Sequence, residues 1–316
     1  MKSTLLLLLC SMNFFGFSQN DPVIIIPEKK EEISQTKVFY SQKVINTKTV
    51  EVLKKGILEF NVSHSFGDIA GSSGGIKNFF GLDNATDIRI GFQTGLTDKL
   101  NLITARAKGA VFVRNQWELG FKYQLLSQLD SDPKHPVSVT LFVNNVIASQ
   151  KRSPLPDQEN SFENFGDRMS QVAQLMIARR FGKVSLQLNP LYLHTNYVVP
   201  NDDKSIFALG GAARIPLSKK IIILADYFHP FRSETSKAYF TSQNIDFFDP
   251  LGIGVEILTE GHVFHLNFTN ANELLENRFI RRTTTSWGDG EFRWAFTISR
   301  NFILKKGRNK SKAEWQ

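Results

Sequence analysis

The feature that most constrains this chain is a two-residue rhythm of apolar and polar side chains. In the run 291–302, Phe292, Trp294, Phe296, Ile298 and Phe302 share one parity, with Arg300 the single misfit. Glu291, Arg293, Thr297, Ser299 and Asn301 share the other. Successive side chains of a strand point to opposite faces, so this run is a strand with one greasy and one polar face. In the run 116–125, Trp117, Leu119, Phe121, Tyr123 and Leu125 alternate without exception with Gln116, Glu118, Gly120, Lys122 and Gln124. Its length matches the roughly 9–11 residues that a tilted strand needs to cross a bilayer. A strand in a soluble core has no use for so polar a second face, whereas a strand in the wall of a membrane barrel does.

Composition agrees with this reading. Hydrophobic residues make up 41% of the 316 residues, and mean hydropathy is −0.19. A bundle of membrane helices needs several apolar runs of about 20 residues, and such a mean excludes it. Alternating strands average out to near-neutral hydropathy and remain allowed. The 27 Phe residues suit strands and membrane interfaces. The formal charge of +8 sits partly on Lys305, Lys306, Arg308, Lys310 and Lys312, a solvated basic end. No RNP, zinc-finger or helix-turn-helix pattern accompanies it, so no nucleic-acid partner is expected.

Lys2, the apolar stretch 5–17 and the small residues Gly16 and Ser18 around Phe17 form a secretory signal, with cleavage expected after Ser18. The one cysteine, Cys10, lies inside it. Leu7-Leu8-Leu9 lacks the small residue expected before a lipidated cysteine. The mature chain therefore has no disulfide and depends on its own hydrogen-bond ladder. Expected domains are the signal 1–18, a periplasmic lead-in or plug 19–55, an outer-membrane barrel 56–302 and a basic tail 303–316. Within 19–55, a short strand or a plug near 38–45 are both open.

Alternation and turn residues predict strands at 56–66, 87–96, 100–106, 116–125, 137–146, 169–181, 184–194, 205–215, 221–228, 251–258, 262–269 and 291–302. The fold class is all-β, a transmembrane antiparallel β-barrel of about twelve strands. Connections after the second, sixth, eighth and tenth strands are short, and that after the fourth is moderate. Those after the first, fifth, seventh, ninth and eleventh are long; the one after the third breaks the pattern. Short periplasmic turns and long outer loops are the mark of such barrels. In hydrocarbon an unpaired backbone group is costly, so the sheet must close.

On this parity the candidate lumen-lining residues are Glu59, Asp87, Arg89, Glu118, Lys122, Arg214, Asp226, Glu256, His265, Asn267, Glu291 and Arg293. A selective pore carries a ring of one sign. The mixed signs here predict a salt-bridged, partly closed, polar interior. His262 and His265 are three apart in a strand and point to opposite faces, so they do not chelate one metal. His265 and Asn267 share the lumen face and are expected to hydrogen-bond as a wall pair. Trp117, Tyr123, Tyr192, Tyr227, Trp287 and Trp294 read as interfacial girdles. The glycine-rich loop 71–75 lacks the Gly-Lys-Ser/Thr of a phosphate-binding loop. His64-Ser65 runs into Phe66-Gly67 without a catalytic pattern around it. No enzyme activity, catalytic residue or cofactor is expected.

Several runs resemble a known family. They include Lys54-Lys55-Gly56-Ile57-Leu58-Glu59-Phe60, Val62-Ser63-His64-Ser65-Phe66-Gly67, Phe79-Phe80-Gly81-Leu82-Asp83-Asn84-Ala85 and Leu175-Met176-Ile177-Ala178-Arg179-Arg180-Phe181. The most specific is Gly261-His262-Val263-Phe264-His265-Leu266-Asn267-Phe268-Thr269-Asn270. Over roughly 38–302 the chain resembles the outer-membrane β-barrel family of Gram-negative Bacteroidota catalogued as domain of unknown function 5777. That resemblance implies the barrel and the outer membrane, and no known activity.

Two functions fit. A pore or transporter for a small solute predicts a lumen wide enough for water. A plugged structural or surface-interaction barrel predicts a filled lumen, with function in the outer loops 67–86, 148–166 and 229–249. A soluble periplasmic β protein would instead stay in solution without detergent. Expected partners are outer-membrane lipid, the assembly machinery that reads a terminal aromatic such as Phe302, and a small-molecule solute of unknown kind.

Overall fold

The computed structural model describes residues 35–109 and 112–304. The expected signal 1–18 and all but the first two residues of the tail 303–316 lie outside them. Twelve strands form: β1 Ile57–Asp68, β2 Ala85–Gly95, β3 Leu100–Lys108, β4 Asn115–Leu126, β5 Ser138–Ala148 and β6 Met169–Phe181. They continue with β7 Val184–Thr195, β8 Ser205–Pro216, β9 Ile221–Phe231, β10 Leu251–Leu258, β11 Val263–Thr269 and β12 Arg293–Ile303. Each pairs antiparallel with its neighbours in sequence, and β1 pairs with β12, so the ring is closed. The closing seam runs from Ile57 opposite Ile303, through Val62 opposite Ile298, to Asp68 opposite Arg293, with a bulge after Ser65.

The outer face follows the alternation. Trp117, Leu119, Phe121, Tyr123 and Leu125 all point out of the ring and are exposed, while Gln116, Glu118, Lys122 and Gln124 are buried within it. An apolar belt around a ring without an edge satisfies both demands of hydrocarbon, for greasy surface and for paired backbone.

The lumen departs from the polar interior expected of it. Inward positions of β5 to β9 carry Phe142, Val146, Val172, Met176, Leu191, Leu193, Ile206, Ile222, Leu224 and Phe228, all buried. Inward charged groups lie mostly on β1 to β4 and β10 to β12, with Glu59, Arg89, Glu118, Lys122, Glu256 and Arg293, while β5 to β9 intersperse polar Thr140, Ser185, Gln187, Arg214 and Asp226 among their apolar side chains. The apolar half is covered by protein rather than water. The run Ile221-Ile222-Ile223-Leu224 carries its trace, since a strand apolar on both parities is one that is covered on both faces.

Two segments supply the cover. Residues 36–53 run inside the ring from the side of the short turns. Their Val38, Phe39, Val44, Ile45 and Val50 join the apolar cluster of β5 to β9. From the side of the long loops, the β11–β12 connection folds inward and carries a short helix. A longer helix, α1 (Glu234–Ser242), lies in the β9–β10 loop, capped by Ser233, whose hydroxyl accepts from Ser236 N–H. The inward one is α2 (Glu276–Arg282), whose Phe279 and Ile280 meet the same cluster. Phe279 packs edge-on to Phe228 with centroids 5.4 Å apart.

Candidate functional site

The inner segment is a small hairpin. Val44 N–H donates to Thr47 O at 2.8 Å and Thr49 N–H to Gln42 O at 3.1 Å. At its tip three successive N–H groups converge, those of Ile45, Asn46 and Thr47, and all donate to Asp226 Oδ2 at 3.2, 2.6 and 3.0 Å. Such a nest of backbone amides is an anion site, and here the anion is a wall carboxylate. Asn46 Nδ2 adds a bond to Asp226 Oδ1 at 2.9 Å. The tip comes this close because position 252 is glycine. A Cβ on Gly252 would stand 2.6 Å from Ile45 Cγ2 and 2.8 Å from Asp226 Oδ1.

The hairpin backbone is satisfied by the wall on both sides. Val50 N–H donates to Gln187 Oε1 at 2.9 Å, and Gln187 Nε2 donates to Lys48 O at 2.8 Å. Thr140 Oγ1 donates to Val50 O at 2.6 Å and Ser185 Oγ to Val38 O at 2.6 Å. Leu53 N–H donates to Asn101 Oδ1 at 2.7 Å, and Asn101 returns a bond to Leu53 O at 2.8 Å. Buried backbone groups need such partners, so this lumen wall is built to hold a peptide segment.

The two inner segments meet at a charge cluster. Lys48 Nζ lies 2.7 Å from Glu276 Oε1 on α2 and 3.1 Å from Glu118 Oε1 on β4. Arg89 donates to Glu118 Oε2 through Nε and Nη2 at 3.1 and 2.7 Å. Asn144 Nδ2 donates to Glu118 Oε1 at 3.0 Å. A buried charge survives only if paired. Here one lysine of the hairpin binds the wall and the outer plug together.

The sequence-derived lumen set falls into place as follows. Glu118 and Arg89 pair in this cluster. Lys122 donates to Gln42 Oε1 at 3.0 Å and to the Glu51 carbonyl of the hairpin strap. Asp226 holds the hairpin tip. Glu256 accepts from Ser41 Oγ at 2.7 Å and faces Arg214 at 3.7 Å. Glu59 accepts from Asn61 at 3.3 Å. Asp87 accepts from Leu274 N–H in the inward loop at 2.8 Å. Arg293 pairs with Asp68 at 2.6 Å. Two expectations need correction. His265 pairs with Glu256 across the β10–β11 ladder at 3.2 Å, rather than with Asn267. Glu291 is not a lumen residue on a strand. It precedes β12, and its carboxylate accepts from Ser286 N–H at 3.0 Å to close the loop before it.

A second cluster ties the outer loops over the plug. Asp202 in the β7–β8 loop lies between Arg281 at 3.0 Å and Arg232, with Ser236 of α1 donating to it at 2.9 Å. Glu159 in the β5–β6 loop bridges Arg278 at 2.7 Å and Arg282 at 2.9 Å. Burial pushes both carboxyls up, but the guanidinium charges outweigh it and hold both below the ordinary carboxylate range. Between these loops and α2 remains a cavity of about 30 Å³, lined by Gln116, Glu159, Arg168, Tyr197, Asp202 and Arg278. A second gap of about 30 Å³ runs between the hairpin and the polar wall, beside Lys43, Glu59, Asn61, Arg89, His265 and Ser299. Each has room for little more than a water molecule or two.

The sequence model of a family described as a membrane-bound β-barrel domain, domain of unknown function 5777, matches residues 39–302. The chain belongs to this family. The match begins inside the hairpin segment, so the domain as the family defines it takes in the lumen plug as well as the wall. With a closed ring and an apolar belt, this member of the family resides in the outer membrane. Among solved structures it is similar to the NanC porin, at 6% identity and TM-score 0.44 over 78% of this chain and 98% of that one. The KdgM porin aligns at 8% and 0.45 over 78% and 99%. An outer membrane channel from Pseudomonas putida F1 aligns at 12% and 0.46 over 80% and 98%. A search of the curated proteins returned no match.

Sequence reasoning missed the partners that fill this family member's lumen: Ser41, Asn46, Lys48, Glu276, Arg278 and Arg281. One signal was present. Phe279-Ile280 between Arg278 and Arg281 is an amphipathic turn, out of character for a solvated loop.

Proposed function

We propose that this protein is a plugged outer-membrane barrel, closed to ion flow in its resting form, that acts through its outer loops. The observation that supports this reading is the hairpin tip on Asp226, with the hairpin's buried backbone paired to wall side chains made for it. The lysine link from hairpin to α2 adds a second closure from the opposite end. The reading needs no catalytic residue and no cofactor. The test is single-channel conductance of the refolded chain in planar bilayers, after heat-modifiable migration has shown that it is folded. The wild type is expected to be silent. Regular conductance steps from wild-type protein would overturn the reading.

A second reading has its own observation. The gap beside the hairpin lies on the polar side of the lumen, next to Lys43, Glu59, Arg89 and His265. A small polar solute would pass along that side once the hairpin moved. Two separate variants distinguish the readings: deletion of 36–53, and Gly252→Val, which crowds the hairpin tip in the intact chain. A gated pore gives steps in such variants that respond to an added solute, and a structural plug gives none that respond.

A further inference from the structure

The β1–β2 loop carries a fold-back at 75–82 whose side chains are greasy and outward. Ile76 is 79% exposed, Phe79 59%, Phe80 45% and Leu82 38%, an apolar patch on one short turn, with exposed Lys77, half-buried Asn78 and buried Gly81 between them. Scattered apolar residues on a surface need no explanation, but a contiguous patch marks an interaction site. We propose that this patch docks into the outer leaflet of the membrane, with its apolar side chains among acyl chains and Lys77 on anionic lipid headgroups.

Three observations carry the assignment. The first is strain. Phe79 and Phe80 both adopt left-handed backbone, at φ 45° and 52°. Non-glycine residues rarely do so, and two aromatics in a row do so only where something over-determines them. Phe80 N–H donates to Gly75 O at 2.8 Å and Asn78 Nδ2 to Ser73 O at 2.6 Å. These bonds close the turn, while both residues stay exposed.

The second is position. A Cβ on Gly81 would stand 2.3 Å from Gly67 O and 2.6 Å from Asp68 O. The fold-back is therefore clamped against the outer end of β1. Gly67 directly follows Phe66, which groups with the outward rings of His64 and Phe296. The fold-back is thus anchored at the outer end of the strand whose outward face, through Val62 opposite Ile90 and Phe60 against Phe92, meets lipid. Third is charge. Lys77 sits within the apolar patch with no carboxylate paired to it among the described residues. A long amphipathic side chain at a membrane interface lays its stem on the apolar phase and its ammonium at the phosphates. The patch lies outside the ring, so its contact with lipid is independent of whether the lumen is open.

The experiment uses the full chain with Cys10→Ser, which leaves no other cysteine. Phe80→Cys, Ile76→Cys and, as control in the β9–β10 loop, Glu234→Cys are each labelled with an environment-sensitive nitrobenzoxadiazole. The proteins are reconstituted in phosphatidylcholine vesicles with and without phosphatidylglycerol, and folding is checked by heat-modifiable migration. Lipids carrying a nitroxide near the headgroup are expected to quench the labels at 76 and 80 severalfold more than that at 234. Lys77→Glu is expected to reduce that quenching in anionic vesicles and not in neutral ones. Ile76→Cys leaves the left-handed pair intact and reports on the patch if Phe80→Cys disturbs the turn. Labels at 76 and 80 that stay water-like in folded protein would overturn the proposal. So would labels shielded only on intact cells, which would point to a protein partner.

Discussion

Lys48 is the residue on which the interior turns, because it joins a carboxylate of the wall to a carboxylate of the outer plug. Lys48→Met leaves Glu276 buried without its partner, and breaking a buried pair in this way costs about 3–5 kcal/mol. Denaturant unfolding followed by loss of heat-modifiable migration is expected to show that loss, and Lys48→Arg to recover part of it. Asp226 acts differently, since it accepts backbone donors rather than pairing with a cation. Asp226→Asn keeps the shape and removes the charge, at about 2–3 kcal/mol for bonds to a charged acceptor. The same unfolding measurement reads it, with the hairpin amides losing hydrogen-exchange protection before the strands do. The wall charges were legible in the sequence because strand parity assigns them to one face. Their partners were not, because Lys48 and Glu276 stand in segments without a two-residue rhythm. His265 shows the limit of parity. It gave the correct face and the wrong neighbour, since cross-strand register decides between Asn267 and Glu256.

At the scale of elements, the strands could be read from sequence nearly to the residue: β6 and β10 begin and end where alternation and turn residues place them. β9 runs on to Phe231, past the expected end at 228, because His229 and Pro230 pair with β8. β12 begins at Arg293, after the turn that Glu291 closes. A plug near 38–45 was one of two readings of the lead-in, but the hairpin form of 36–53 and the whole of α2 were hidden for one physical reason: each is defined by the cavity it fills rather than by its own pattern. The outer cap makes a pH prediction. Asp202 and Glu159 have depressed pKa values, so their contribution is complete above the ordinary carboxylate range and is lost as pH falls through the lower folded values. Protease nicking of the β5–β6 and β7–β8 loops is expected to be slow at pH 6 and to quicken below about pH 4, with the barrel itself still folded.

Taken whole, the molecule has an apolar belt facing lipid and a second apolar core inside the ring. That inner core couples plug to wall. Each fully buried Phe or Leu is worth about 1.5–3 kcal/mol relative to exposure, and Phe39, Phe142, Leu193, Phe228 and Phe279 are all fully buried there. Amides of 44–50 are therefore expected to exchange as slowly as those of β7, and thermal unfolding to be a single step. Exchange of 44–50 within seconds would show a loose tether. The placement of that inner core also bears on the order of assembly. The hairpin precedes β1 in the chain, yet it rests on β5 to β9, and β1 is the strand that seals the ring against β12. With that seam shut, the hairpin would have to enter through the mouth on the side of the short turns and cross the lumen to reach these strands. Laying it on the half-made sheet while the seam is open avoids that passage, and pulse-labelled hydrogen exchange during refolding is expected to show the 44–50 amides protected no later than the β1–β12 seam. In that order the seam closes over an interior already filled, and the plug is a part of the folding sheet rather than a later guest.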